Sequence, residues 1–330
     1  MYRSGPREFI ALAGTVLAFP VAAFAQATLR RPLIAWLSPG TKEASLANSV
    51  KPFLQGMQDL GYIEGRDFEM VYRFSEGYQE RLMALSAEVV RLNPSVIVTP
   101  GLAAAVSAHK VTSTIPIVCP TLADGVELGL IASEARPGGN VTGLEPYVPG
   151  LPAKQIELAR EIVADALKIG LLTNLDDPKA PPQAKEMEAA AQALKLTVVS
   201  ADAHQPDYLD RALQVLAGER VDVVIVLQTS MLWSEARQIA SLALAKRLPT
   251  VYGYREHVLA GGLVSYGVDL RWCDRRAAYF VDRILHGSLP GDLPVEFPTT
   301  LWLCINRKTA NALGVTVLPL LLSQADEVIE

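Results

Sequence analysis

Short apolar runs alternate with longer amphipathic stretches along the chain, and this rhythm constrains the fold more than any other feature. Residues 33–37 form an apolar run that ends in Ser38-Pro39-Gly40, as a buried strand followed by a turn would. Residues 44–60 read as a helix stopped by Gly61. Residues 67–74 alternate as a strand does, and residues 79–92 put Leu82, Leu85, Val89 and Leu92 on one helical face. Further buried strands are predicted at 96–98, 115–119 and 141–143, and Thr99-Pro100-Gly101 opens a short alanine-rich helix. Strands this apolar, linked by helices, suit one parallel sheet with both faces covered.

The pattern then restarts. Helices are predicted at 154–164, 184–194, 208–216, 233–246 and 271–285, and strands at 169–173, 197–200, 221–227, 250–252, 263–265 and 301–305. Two consecutive sets of similar size imply two similar α/β lobes. In open parallel sheets, ligands sit beyond the carboxyl ends of the strands. That rule nominates the loops at 38–40, 99–101 and 121–124 in the first lobe. In the second it nominates Thr173-Asn174, 228–230, 252–255 and 266–269. Hydroxyl, amide and glycine groups dominate these loops, which suits hydrogen bonding to something small and polar.

The first 25 residues are a separate object. Arg3 and Arg7 give a basic start, residues 9–19 are uncharged and largely apolar, and Ala23-Phe24-Ala25 has the form of a cleavage site. Residues 1–25 are therefore predicted to be a cleaved signal peptide that delivers the mature chain, from Gln26, to the periplasm. Gly14 and Pro20 interrupt the apolar run, which argues against a membrane anchor. The stretch from Ser4 to Ile10 resembles a twin-arginine signal with Pro6 in place of the first arginine. The route of export stays open.

Composition closes several other classes. Half of the residues are hydrophobic, which excludes a disordered chain. The net charge is −5 and lysine and arginine are scattered, so no footprint for nucleic acid exists. Cys119, Cys273 and Cys304 are too few and too far apart for a zinc site or a disulfide scaffold, and read as small buried residues. None of His109, His204, His257 and His286 has metal-ligand spacing. The chain carries no G-x-S-x-G, H-E-x-x-H or P-loop motif, so no catalytic residue, metal or cofactor is predicted.

Several stretches, taken in order, carry a family resemblance. Pro52-Phe53 with Gly56, then residues 60–66 (Leu-Gly-Tyr-Ile-Glu-Gly-Arg), come first, followed by residues 112–118 and 135–143, the latter with Pro137-Gly138-Gly139-Asn140. Residues 252–256, residues 261–267 (Gly-Gly-Leu-Val-Ser-Tyr-Gly) and residues 306–310 complete the set. From about residue 33 to the C-terminus the chain resembles the ABC-transporter substrate-binding proteins related to the tryptophan/tyrosine-binding component. The resemblance implies a type I periplasmic binding protein: two Rossmann-like α/β lobes, each a parallel sheet flanked by helices, joined by a three-segment hinge. Crossings are expected near 144–150, 267–270 and 289–298. Lobe one would then be 29–145 plus 269–291, and lobe two 146–268 plus 292–330. The implied function is capture of a small molecule, an amino acid or a small aromatic or aliphatic carboxylate, for an ABC permease. A monomer is expected. One departure is Asp124-Gly125, where the family usually has Asp-Pro; without the proline, position 125 can reach positive φ.

The candidate ligand-binding residues are Ser38, Gly40, Thr99, Gly101, Thr121, Asp124, Asn174, Gln228, Thr229, Tyr254, Tyr266 and Asp269. Ser38 either helps to hold a carboxylate or caps a turn. Asp124 either meets a ligand ammonium or caps the segment after it. Tyr254 and Tyr266 either stack on an apolar ligand body or serve the core. Trp233 opens a helix from which it can line the cleft, and Asp177-Pro178 reads as a turn. Two other functions fit the architecture: a ligand sensor docking to a receptor, and an exported α/β hydrolase.

Overall fold

The computed structural model describes Met1, residues 31–146, Val148 and residues 150–330. The expected signal peptide, Met1 apart, lies outside the described residues. Five strands build the first sheet: β1 (Leu33–Ser38), β2 (Glu69–Phe74), β3 (Val96–Val98), β4 (Ile117–Cys119) and β5 (Val141–Gly143). Their order is β2-β1-β3-β4-β5, and every pairing is parallel. Successive side chains of a strand point to opposite faces, and here both faces are buried. Ala35, Leu37, Ile97 and Ile117 meet helices α3 (Leu82–Arg91) and α4 (Leu102–Val111). Ile34, Trp36, Val96, Val98 and Val118 share the opposite layer with α2 (Lys51–Asp59).

A short helix, α1 (Lys42–Ser45), leads into α2 through one wide π turn at Leu46–Val50. The single helix predicted at 44–60 is thus three continuous pieces, and the wide turn buries Ser49 and Val50. The positive φ expected at Gly125 falls instead on Asp124, at 48°. Aspartate is one of the few side chains that tolerates this region.

Seven strands build the second sheet: β6 (Lys168–Thr173), β7 (Thr197–Asp202), β8 (Val223–Val226), β9 (Thr250–Tyr252), β10 (Val264–Val268), β11 (Leu301–Asn306) and β12 (Glu327–Ile329). Their order is β12-β11-β10-β9-β8-β6-β7. β11 runs antiparallel to β10, with Tyr266 opposite Leu303, and β12 runs parallel to β11. Its helices are α5 (Leu151–Ile162), α6 (Ala180–Ala193), α7 (Leu209–Gly218), α8 (Ser230–Ser234), α9 (Ala236–Ala245) and α10 (Arg255–Leu259). α6 starts four residues before the predicted helix because two prolines occupy its first turn, where a missing N–H costs nothing. α10, α12 (Arg307–Leu313), α13 (Pro319–Gln324) and β12 were not predicted, since such short elements show little periodicity.

After β10 the chain returns to the first sheet. Helix α11 (Leu270–Leu285) lays Cys273, Ala277, Phe280 and Val281 into the layer beneath Trp36 and Phe53. It packs closely on α2, because a Cβ at Gly56 would lie 2.3 Å from the Arg275 carbonyl oxygen. The chain then runs back beside its first crossing: Glu145 N–H donates to Glu296 O at 2.9 Å, and Glu296 N–H to Gly143 O at 3.1 Å. All three cysteines are buried and free, as expected. No helix among the described residues is long and apolar enough to cross a membrane.

Candidate functional site

The loops at the carboxyl ends of the two sheets face one another. Thr41 N–H donates to Ser234 Oγ across the cleft at 3.2 Å. A Cβ at Gly40 would come within 2.3 Å of that oxygen, and one at Gly101 within 2.7 Å of Ser230 Oγ. A side chain at either glycine would force the facing serine to move.

Between these loops lies a small, narrow cavity. Pro100, Trp233, Tyr254 and Leu270 supply its apolar wall. The last three belong to one small cluster, which Ala44 joins. Ser49, Thr121, Lys179, Thr229, Ser230 and Asp274 supply the polar wall. Thr229 Oγ1, Trp233 Nε1 and Asp274 Oδ1 are buried without a hydrogen-bond partner. Thr121 Oγ1 has nothing better than the nearby Cys119 thiol, a weak partner. Buried polar groups are normally paired, so unpaired ones gathered around one cavity mark a place where a ligand completes the hydrogen bonding.

The charged centre is Lys179. Pro178 turns the chain just before α6, and Asp177 holds the turn by accepting from Lys179 N–H at 3.0 Å and Ser230 N–H at 3.1 Å. Lys179 Nζ donates to the Tyr254 hydroxyl at 3.1 Å. Burial opposes its charge, but Tyr254 and the Asp177 carboxylate together hold it above its ordinary pKa, so it stays an ammonium. Asp274 lies opposite in kind. Ser49 bonds one of its oxygens, while burial first, and then Glu256 and Asp269, push its carboxyl well above the usual range.

Of the predicted residues, Thr121, Thr229 and Tyr254 line the cavity. Thr99 and Asn174 are fully buried and do not line it; the amide of Asn174 has no partner, and the Thr99 hydroxyl has only the Cys119 thiol near it. Gly40 and Gly101 contribute close backbone approach. Asp124 lies at the first crossing, its N–H on Glu145 Oε1 at 3.4 Å. Burial raises its carboxyl, with Glu127 and Glu186 adding to the rise against the pull of Lys179. Glu145, driven mainly by burial, is raised to about 7.

Four candidates are engaged elsewhere. Ser38 is a turn residue: its hydroxyl contacts Ser45 Oγ at 2.8 Å and accepts from Gly40 N–H at 3.1 Å. Gln228 is tied to Gln183 through its backbone on both sides, and its side chain lies against Gly253. Tyr266 faces an outer surface groove with Lys154 and Leu303. Asp269 caps α11 by accepting from Arg271 N–H and forms an ion pair with the same arginine. None of these four lines the cavity, and Ser38 and Asp269 spend their side-chain oxygens on local hydrogen bonds. Sequence reasoning missed Ser49, Lys179 and Asp274, and nominated Ser230 only as part of the loop at 228–230. One signal was present, since Asp274 falls on the apolar stripe of α11 with Leu270, Ala277 and Val281.

Two α/β lobes joined by several crossings, with a partly apolar cavity between their strand ends, define the type I periplasmic binding protein class. The chain belongs to the ABC transporter substrate binding protein family, whose model matches residues 41–329. This is a family of solute-binding proteins rather than enzymes. A curated relative, the "Tyrosine-binding protein" of Clostridioides difficile (strain R20291), is 24% identical over 279 residues, covering 84% of this chain and 80% of that protein. A conserved domain protein from Vibrio cholerae matches with a TM-score of 0.84 and 27% identity over 91% of this chain and all of that one. An ABC domain from Streptococcus pneumoniae in complex with L-Trp matches with a TM-score of 0.82 and 24% identity over the same shares.

Proposed function

We propose that the chain is the extracytoplasmic solute-binding component of an ABC importer, exported by a cleaved leader over residues 1–25. It acts as a monomer that delivers its ligand to a membrane permease. Its lobes are residues 29–145 with 269–291, and 146–268 with 292–330, and they close about the three crossings on an amino acid or a small aromatic or aliphatic carboxylate. The observation that carries this reading is the set of buried, unpaired polar atoms supplied by both lobes to one cavity. Closure over a ligand pairs those atoms and gives the closed form its differential stability. Trp233, Tyr254 and Leu270 suit an apolar ligand body, and Lys179 with Thr229 suits a carboxylate. The tyrosine and tryptophan named for the relatives fit that combination.

Thermal-shift screening of the mature protein, refolded to strip ligand, tests the reading. A ligand at 100 times its dissociation constant adds about 2.7 kcal/mol of stability. A shift confined to amino acids or small carboxylates, abolished by Trp233→Ala and recovered without chemical change, is the expected result. Equal shifts in the Trp233→Ala variant would move the site elsewhere.

A further inference from the structure

We infer that the ligand carries a cationic amine and that Asp274 is the group that receives it. The inference rests on the cavity being the ligand site. Asp274 is 2% exposed and lines the cavity, and its Oδ1 has no hydrogen-bond partner in the protein. Its other oxygen takes the Ser49 hydroxyl. A carboxylate so placed has one oxygen satisfied and one left for a ligand. Among the residues lining the cavity, Lys179 is the one cation, and its ammonium bonds the Tyr254 hydroxyl rather than Asp274. Asp274 therefore lacks an opposite charge from the protein, and a buried carboxylate is stable as an anion only with one. A ligand ammonium supplies both the charge and the donors.

The approach to the cavity points the same way. Trp233 also borders the open groove that leads out between the lobes, where Glu43, Glu76, Glu235 and Glu256 line the walls against Arg237 alone. Burial first, and then Glu76, raise the Glu235 carboxyl, as expected where acids crowd together. An acidic mouth draws cationic groups inward and disfavours purely anionic solutes.

The test is calorimetric titration of the mature, stripped protein with matched compounds. The first probes are the standard L-amino acids; the best binder is then compared with its decarboxylated amine and its deaminated acid, together with the set L-tryptophan, tryptamine and indole-3-propionate. Wild-type protein should bind each amino acid of a set at least 100-fold more tightly than the deaminated acid. Asp274→Asn should erase most of that ratio by weakening the amine-bearing compounds at least 30-fold, leaving the deaminated acids within threefold. Deaminated acids binding as tightly as amino acids, or an Asp274→Asn ratio equal to that of wild type, would overturn the amine while leaving the cavity as the ligand site. No binding by any of these compounds would overturn both. The wild-type comparison decides by itself if Asp274→Asn does not fold.

Discussion

Lys179 shows how one side chain can serve both fold and site. It is 6% exposed, follows a proline turn, and stands beside the fully buried Asp177. Replacing it with methionine removes the donor to the Tyr254 hydroxyl and the nearby positive charge that favours the Asp177 carboxylate, a change that costs about 1–3 kcal/mol. Urea unfolding should register that loss in Lys179→Met, and the double variant Asp177→Asn/Lys179→Met should recover at least half of it. Recovery to that extent would not occur if Lys179 contributed only apolar packing. The same residue illustrates what the sequence concealed. Thr121, Thr229 and Tyr254 were legible because each follows a buried strand, and strand ends face the cleft. Lys179 and Asp274 were not, because charged residues in a turn and beside Arg275-Arg276 look solvated until tertiary packing buries them. Ser38 and Asp269 do not line the cavity for the converse reason, since local partners a few residues away engage their side chains.

At the level of elements, alternation revealed the strands and the long helices, and it failed where an element has too few residues to repeat. The π turn at Leu46–Val50 is the clearest case. Nothing in Leu-Ala-Asn-Ser-Val breaks a helical pattern, yet the wide turn is what sets Ser49 against Asp274. The contact of α2 with α11 was visible only as an isolated glycine in a helix. A methyl group at Gly56 would meet the Arg275 backbone oxygen at 2.3 Å and Ala278 Cβ at 2.9 Å, neither of which can rotate away. Gly56→Ala should therefore lower stability by about 1–3 kcal/mol despite its better helix propensity, as overpacking does. Chemical denaturation measures this directly, and an unchanged midpoint would mean that the helices slide apart freely.

Across the whole molecule, buried titratable groups set opposing limits on pH. His257, stacked on Tyr252 and bonded through Nε2 to Leu232 O, is held down to about 4 by burial. An unfolded histidine titrates near 6.5, so as pH falls the unfolded chain takes up its proton first, and stability drops between about 6.5 and 4. At pH 5 this amounts to about 2 kcal/mol. Glu145, Glu256 and Asp274, all raised mainly by burial, act in reverse and lose stability as pH rises. Comparing wild type with His257→Gln cancels the carboxyl terms: on going from pH 7.5 to pH 5 the variant should keep about 2 kcal/mol more stability than wild type does. Equal slopes would show that His257 is protonated in the native state.

The return of α11 also bears on when the molecule can first exist. The layer under Trp36 and Phe53 stays open until residues 270–285 arrive, and the second sheet is unfinished until β11 and β12 follow. Neither lobe can complete its core while the ribosome is still making the first two thirds of the chain. Synthesis thus runs well ahead of folding, and the growing polypeptide stays threadable for longer than a pair of lobes strung end to end would allow.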